Sequence, residues 1–370
     1  MQSKTHNRVV LYLKNTSLAR RICSELGSKL THTQFYTSDT KDQLIEFLRN
    51  LSQEKTGKGI QVVVLLDHCC RVLINTFTPL LEVNLIEMIW LNSVSHMKDI
   101  PRRWLGVSPH NGVNSDHWVL KHMIAIPSAS KNSMQLVLQE IEWVIRTITG
   151  QQSVLFHPSD HLSDLLQVCS FKGHVSDVAP KLPDGRQFLR QRWLGSTLDK
   201  SAISEEVKAF SKNLGFRVLW SEKIYDIVEE LLSNALYDAI SAHQVDEYGV
   251  ISKKRSLTLK PEYWSLVRWS WNGEVFIMSV TDPFGLLDPG TFIQYISKIT
   301  LSECDSATRL IEHKKEDGAG LGLTKIFLSS DLVICRRVKS QKTEVLTVIR
   351  PLKEKAYFYK KSRSFHFFAD

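Results

Sequence analysis

The sequence of 370 residues contains 43% hydrophobic and 23% charged residues, and its formal net charge is +8. This composition excludes a disordered chain and a collagen, and the length predicts two or three domains. No apolar run approaches the ~18–20 residues that a membrane span needs, so no transmembrane helix is expected.

The first part of the chain alternates between strand and helix patterns. Strands are predicted over residues 8–14, 31–38, 59–67, 86–91 and 122–127, and helices over residues 16–30, 40–55, 71–84 and 131–147. Thr16 or Ser17 is the expected N-cap of the first helix. Residues 59–67 are almost continuously apolar, as in a parallel strand that is covered on both faces. The alternation predicts a parallel sheet with right-handed crossovers.

The strand count and spacing of residues 1–150 resemble the receiver domain of two-component signalling, which implies a flavodoxin-like fold. Asp67 ends the third predicted strand, where a receiver carries its phosphate-accepting aspartate. The first strand instead ends with Lys14-Asn15, where a receiver has acidic Mg²⁺ ligands, and the fifth ends with Ile126-Pro127 and no preceding lysine. We therefore predict a receiver-like domain that is not phosphorylated, in which Asp67 is a strand-end or cap residue.

Residues 151–215 are predicted to form a helical connector. Two helical patterns, at residues 157–169 and 185–194, flank the turn signal Pro183-Asp184-Gly185. Such a helical pair would act as a linker or as a dimerising element, so a homodimer is one hypothesis.

Residues 216–352 are predicted to form an α/β sandwich, which is a mixed sheet with helices on one face. Asn272-Gly273 between two apolar-rich strands is a strong hairpin signal. The elements follow in the order helix, hairpin, Gly-rich helix start and second hairpin, over residues 221–243, 265–282, 318–331 and 331–351.

The basic residues occur in short clusters that we interpret as solvated faces. They lie at residues 253–255, 314–315, 336–337 and 360–363. The tail, residues 353–370, mixes aromatic with basic residues. It is either a docking arm for an acidic partner or nucleic acid, or a terminal strand that packs its aromatic rings on the domain. Nucleic acid is thus a possible partner but not the favoured one.

Two polar residues lie on one face of the long predicted helix. Glu230 and Asn234 are four residues apart, which places them one helical turn from each other. A carboxylate takes a proton or holds a water, and an amide oxygen binds Mg²⁺, so the pair is a candidate site. The alternative is that both residues simply face solvent.

Two further motifs follow along the chain. Asp282 ends an apolar strand, where its carboxylate can accept a hydrogen bond from an exocyclic amino group such as that of adenine; the alternative is a turn-initiating aspartate before Pro283. Gly318, Gly320 and Gly322 alternate with other residues before a helix. This spacing lets the backbone approach a polyphosphate, which the helix N-terminus also favours.

In this order and spacing, the three motifs resemble the GHKL superfamily of ATP-binding domains, which includes histidine-kinase catalytic domains and anti-sigma-factor serine kinases. The resemblance implies ATP and Mg²⁺ as ligands. It assigns Glu230 as the base, Asn234 as the Mg²⁺ ligand and Asp282 as the acceptor for adenine. It places residues 286–317 in a lid. The remaining residues implied to contact the nucleotide are Gly285, Gly318, Gly320, Leu321, Gly322, Leu323 and Lys325.

The sequence also departs from the family pattern. Phe284 and Leu286 stand where the first glycine box usually has glycines, and Tyr237 stands where many histidine kinases have a basic residue. A histidine autokinase needs an acceptor histidine upstream. The best candidate, His161, has no acidic residue directly after it and lies too close to Asn234 for a separate helical hairpin.

We expect a cytoplasmic, bacterial-type signalling protein. The six cysteines form no C-x-x-C pair, and the N-terminus has no apolar signal region. The favoured reaction is Mg-ATP-dependent phosphoryl transfer to Ser or Thr of a partner protein, as in anti-sigma-factor kinases. The alternatives are a non-catalytic ATP-sensing scaffold, a histidine-kinase-like protein and a nucleic-acid-binding regulator that uses the basic tail.

Overall fold

The computed structural model describes residues 7–13, 15–53, 62–66, 86–93, 121–126, 131–149, 188–240, 256–271, 275–287, 321–350 and 363–369. The chain divides into two compact units, residues 1–156 and 157–370. Each unit combines a sheet with helices, so the predicted α/β class is confirmed. Within these ranges no helix is long and apolar enough to cross a membrane.

The first unit contains a parallel sheet. Its strands are β1 (Asn7–Tyr12), β2 (Thr33–Thr37), β3 (Val62–Leu66), β4 (Ile86–Ser93) and β5 (His122–Ile126). They lie in the order β2-β1-β3-β4-β5, and every pairing is parallel. The helices are α1 (Thr16–Gly27), α2 (Lys41–Gln53) and α3 (Lys131–Ile148). All five residues of β3 are buried, as its apolar run predicts, whereas the helix predicted over residues 71–84 lies outside the described residues.

Helix α1 begins at Thr16, as predicted, but its N-cap lies one residue earlier than the predicted ones. Its N-cap is Asn15, whose Oδ1 accepts hydrogen bonds from the Leu18 N–H at 3.0 Å and the Ser17 hydroxyl at 2.6 Å. The prediction of Thr16 or Ser17 was wrong because the asparagine side chain reaches the unpaired N–H groups of the first turn. Asp67 lies outside the described residues.

The second unit contains a mixed sheet of six described strands. They are β6 (Phe188–Leu194), β7 (Ser265–Trp271), β8 (Phe276–Asp282), β9 (Leu332–Val338), β10 (Lys342–Ile349) and β11 (Ser364–Ala369). The order is β11-β9-β10-β8-β7-β6, with β11 parallel to β9 and the other pairs antiparallel. The antiparallel pairing predicted for each of the two hairpins is confirmed.

Three helices cover one face of this sheet. They are α4 (Thr197–Asn213), α5 (Val218–Ser233) and α6 (Leu321–Ser329). The ring of Phe210 on α4 lies 6.4 Å from that of Phe276 on β8, and Phe327 on α6 lies 6.2 Å from Phe365 on β11. The strand register places Phe276 and Phe365 on the same face, so these helices share one layer.

The helix predicted over residues 185–194 was wrong. Residues 188–194 form β6, which pairs with β7 from Phe188 opposite Trp271 to Leu194 opposite Ser265. Arg190 and Arg192, two residues apart, both reach Glu206 on α4, at 3.2 and 3.0 Å. Strand pairing thus overrides the local helical pattern.

The predicted connector belongs in part to the second unit. Residues 188–213, which we assigned to the connector, contribute a strand and a helix to that unit. The helix predicted over residues 157–169 lies outside the described ranges.

The end of the chain forms a strand. Phe365 and Phe367 are fully buried in β11, and the Nε of Arg363 donates to the Leu328 carbonyl at 3.1 Å. The terminal-strand hypothesis is confirmed for residues 364–369. Residues 353–362 lie outside the described residues, so the docking-arm hypothesis stays a prediction for that part of the tail.

The opposite face of the same sheet carries a buried charge cluster. Glu344 on β10 accepts from Arg268 of β7 at 3.0 Å and from Arg336 of β9 at 3.5 Å, and no side chain of the three exceeds 6% exposure. The interpretation of Arg336 as part of a solvated basic cluster was therefore wrong, because its guanidinium pairs with a buried carboxylate across the strand.

Candidate functional site

Glu230 and Asn234 lie at the end of α5, where the helix changes its hydrogen-bond pattern. The apolar stripe of α5 buries Ile224, Ile227, Val228, Leu231 and Leu232, which leaves Glu230 half-buried beside it. Asn234 begins a π-helical turn, Asn234–Asp238, in which the Ala239 N–H donates to the Asn234 carbonyl. Single π-turns inside α-helices are frequent at functional sites. The two residues predicted from the sequence therefore lie where the helix is locally irregular.

The first turn of α6 lies directly against these two side chains. A Cβ atom placed on Gly322 would be 2.6 Å from Glu230 Oε2 and 3.3 Å from Asn234 Oδ1. Any side chain at this position would displace the glutamate carboxylate, so glycine is required for the observed approach. The carboxylate, the amide oxygen and the start of a helix therefore meet at one place.

Lys325 completes this arrangement. It follows Gly322 by three residues and so lies on the same face of α6. Its Nζ donates to Glu230 Oε1 at 2.5 Å, although 61% of the Lys325 side chain remains exposed. The hydrogen bond to Glu230 and the charges of Glu230 and Asp226 raise the pKa of Lys325. The ammonium is thus firmly charged and paired with the glutamate predicted to act as a base.

Asp282 lies at the end of β8 and caps its own turn. Its Oδ1 accepts the N–H of Phe284 at 2.9 Å, which is the geometry of a turn-initiating aspartate. Burial of the carboxyl raises the pKa of Asp282 to about 6, although hydrogen bonds from the Phe284 and Gly285 backbone and from Thr343 oppose the shift. The carboxyl of Asp282 is therefore already bonded within the protein, and a ligand would use a lone pair that these contacts leave open.

Gly285 is fixed by packing within the protein. Its φ is +67°, and an added Cβ would lie 2.1 Å from the Val338 carbonyl oxygen and 2.8 Å from the Ser340 nitrogen. The loop after β8 therefore needs glycine in order to pass over the turn between β9 and β10. Next to it, Phe284 is 3% exposed and stacks on Tyr263, with ring centroids 5.8 Å apart, so its side chain belongs to the core.

The predicted site residues fall into two described groups. Glu230, Asn234, Gly322 and Lys325 surround the contact between α5 and α6, whereas Asp282 and Gly285 lie in the loop after β8. Leu321 is the first residue of α6, and the side chain of Leu323 is buried at 9% exposure. Gly318, Gly320 and most of the predicted lid lie outside the described residues.

Sequence reasoning missed two polar contacts around this region. The Tyr237 hydroxyl lies 3.4 Å from Thr197 Oγ1 at the start of α4, so this buried tyrosine faces the neighbouring helix. Glu229 pairs with Lys200 and accepts from Ser204, also on α4. Both contacts join residues at least 25 positions apart on two consecutive helices, and no local spacing indicates them.

The oxygen atoms near Gly322 suit a divalent cation of the Mg²⁺ type. Mg²⁺ prefers oxygen ligands and is usually bound by one or two protein groups together with substrate phosphates. The described residues contain no group of three or more His, Cys, Asp or Glu side chains that could hold a metal on their own. A cation beside Asn234 would therefore need further ligands from water or from a bound group.

Comparison with known proteins does not assign the chain to a family. No family model matches the chain, and no curated protein is similar to it.

Proposed function

We propose that the protein is an ATP-binding signalling regulator that transfers the γ-phosphoryl group of Mg-ATP to Ser or Thr of a partner protein. The observation that carries this proposal is the approach of Gly322 to Glu230 and Asn234, at 2.6 and 3.3 Å from its Cβ position. This approach brings the base, the amide oxygen and a helix N-terminus together. The same three components are implied by the resemblance to GHKL domains, and the mixed sheet with helices on one face supports that fold.

Each residue would have a separate task. Glu230 would accept the proton of the attacking hydroxyl, and the N–H groups at the start of α6 would donate to phosphate oxygens. Asn234 would hold Mg²⁺ by its amide oxygen, and the ion would neutralise charge on the phosphates. Asp282 accepts the Phe284 N–H, and a remaining lone pair of its carboxylate would accept the exocyclic amino group of adenine. The contribution of the protein is mainly positioning and electrostatic stabilisation.

The first unit would regulate or dock the second as a receiver-like domain that is not phosphorylated. Its strand order, β2-β1-β3-β4-β5, is the flavodoxin-like order that receivers share. Asn15 stands where a receiver has acidic Mg²⁺ ligands, and its side chain is used to cap α1. We propose a cytoplasmic location and a partner of the sigma or anti-sigma type, with a homodimer as one possible assembly.

Calorimetry with Mg-ATP tests the nucleotide site. We expect the wild-type protein to release heat on binding and Asn234→Ala to lose that signal. Asn213→Ala, an exposed asparagine at the end of α4, is the matched control and should bind as the wild type does. A wild-type protein that gives no heat at millimolar Mg-ATP would overturn the proposal, and so would normal binding by Asn234→Ala.

Phosphoryl transfer is tested with γ-labelled ATP and a cell extract as the source of acceptor. Glu230→Ala should still bind Mg-ATP but should lose the transfer of label to protein. Unchanged transfer by this variant would remove Glu230 from the role of base.

A second function is favoured by one specific contact. Because Lys325 already occupies Glu230 Oε1, the same site would serve a non-catalytic ATP sensor in which nucleotide binding alone changes partner affinity. Nucleotide-dependent partner binding without loss of the γ-phosphate would distinguish the sensor from the kinase.

A further inference from the structure

The pair formed by Lys325 and Glu230 joins two helices at the proposed nucleotide site. Lys325 Nζ holds Glu230 Oε1 at 2.5 Å, while Oε2 lies 2.6 Å from the Cβ position of Gly322, one turn earlier on α6. One carboxylate oxygen is therefore paired with α6, and the other lies beside the first turn of the same helix. In this arrangement the glutamate cannot accept a proton from a hydroxyl at Oε1 without losing the lysine.

A bound triphosphate would compete with Glu230 for the lysine. Lysine carries a compact charge on a flexible four-carbon stem, so its ammonium can move while the helix stays in place. With 61% of the side chain exposed, solvent rather than protein surrounds most of it. Lys325 also follows the first turn of α6, whose N–H groups would hold the phosphates. A polyphosphate there carries more negative charge than one carboxylate and is the stronger partner.

We propose that Lys325 is a positioning residue that passes from Glu230 to the bound triphosphate, so that the Glu230 carboxylate is released only when nucleotide is present. This inference rests on the proposed function. It explains why a lysine stands three residues after the glycine that touches Glu230. Before nucleotide binds, Lys325 would thus keep Oε1 of the base paired.

Nucleotide affinity of the full-length protein tests the exchange. Lys325→Met keeps an unbranched side chain of similar length but removes the charge. It should weaken Mg-ATP binding by ~10-fold, as expected for the loss of a charged hydrogen bond. The loss should be smaller for Mg-ADP, and Lys325→Arg should restore part of the Mg-ATP affinity. Glu230→Gln releases the lysine in advance and should tighten Mg-ATP binding by ~2- to 5-fold, the range of an exposed ion pair.

The double variant separates exchange from simple charge repulsion. If Lys325 passes to the phosphate, the gain from Glu230→Gln should vanish in the Lys325→Met background. If the glutamate only repels the phosphates, the gain would persist there, and the inference would be overturned. Lys208→Met and Glu222→Gln are matched controls, because this pair also joins two helices of the second unit, at 3.3 Å, and should not affect affinity.

Failure of this inference can be told apart from failure of the proposed function. Wild-type binding together with unchanged affinity in Lys325→Met would overturn the exchange alone. No Mg-ATP binding by the wild type would overturn both. Circular dichroism of each variant, with the same helical signal as the wild type, shows that a change in affinity does not come from unfolding.

Discussion

The loop after β8 and the contact between α5 and α6 were both predicted to touch nucleotide, but the protein builds them differently. In the loop, Gly285 is held by the backbone of the turn after β9, and Asp282 bonds to its own turn. At the helix contact, Gly322 meets the flexible end of Glu230, which is held by the exposed Lys325. The first region is fixed by the fold, whereas the second can rearrange.

Because of this difference, we expect substitutions in the two regions to change different measured quantities. Backbone atoms cannot move away from a new side chain, so changes in the loop should appear mainly in the free energy of unfolding. A glutamate side chain can rotate at small cost, so changes at the helix contact should appear mainly in nucleotide affinity.

Gly285→Ala should destabilise the second unit most. The new Cβ would lie 2.1 Å from the Val338 carbonyl oxygen at a φ of +67°, so the variant has both a clash and a strained backbone. We expect a loss of about 2–4 kcal/mol in the free energy of unfolding, measured by urea denaturation. Gly215→Ala measures the cost of the strained backbone without a clash, because the φ of Gly215 is +76° and no atom lies within 4 Å of its Cβ position. Equal losses in the two variants would contradict the clash.

Asp282→Asn should stabilise the protein at neutral pH. Burial raises the pKa of Asp282 from 3.8 to about 6, so the folded state resists ionisation that the unfolded state accepts. Ionising Asp282 in the folded protein therefore lowers the free energy of unfolding. This loss is absent below pH 4, grows between pH 4 and 6, and reaches about 2–3 kcal/mol above pH 6. Asparagine pays no such penalty, so its advantage in urea denaturation should be present at pH 8 and lost near pH 4.

The same substitution should weaken nucleotide binding. Asparagine must keep its oxygen on the Phe284 N–H, and its NH₂ group would then face the adenine amino group, a donor against a donor. We expect the affinity for Mg-ATP to fall by ~10-fold or more. Asp39→Asn, an exposed position in the first unit, is the control for both measurements. A variant that is more stable and binds normally would leave Asp282 as a turn residue only.

Gly322→Ala should alter affinity more than stability. The added methyl group would push Glu230 Oε2 from 2.6 Å, but alanine also favours the helix, so the free energy of unfolding should change by less than about 1 kcal/mol. Displacement of Glu230 and Asn234 should weaken Mg-ATP binding by ~10-fold. Gly27→Ala is the matched control, since no atom lies within 4 Å of its Cβ position. Normal nucleotide affinity in Gly322→Ala would mean that the close approach has no part in binding.

Periodicity predicted much of the fold because the relevant forces are local. The apolar run of β3 and the alternation of strand and helix indicated a parallel sheet, and Asn272-Gly273 indicated the pairing of β7 with β8. Residues 188–194 were misassigned because only their pairing with β7 makes them a strand. The edge strand was thus determined by a partner some 80 residues away, which local propensity does not register.

The candidate site shows the same limit. Spacing placed Glu230 and Asn234 on one helical face, and the alternating glycines pointed to a backbone approach. The partner of Lys325 was not predicted, since the ion pair joins residues of two separate helices. Likewise, Arg336 looked like a surface residue, although Glu344 opposite it makes its burial possible. The one feature of the sequence that indicates this cluster is the presence of charged residues inside strands that are otherwise apolar.

The smallest expected effect concerns the stability of the exposed ion pair. With Lys325 61% exposed and Glu230 22% exposed, water screens the attraction and competes for both groups. Lys325→Met and Glu230→Gln should each change the free energy of unfolding by less than about 1 kcal/mol, and added salt should reduce the change further. Urea denaturation at low and high salt measures this. A loss of several kcal/mol would make the pair a structural bond like that of the buried cluster, and a bond of that strength would not yield its lysine to a ligand.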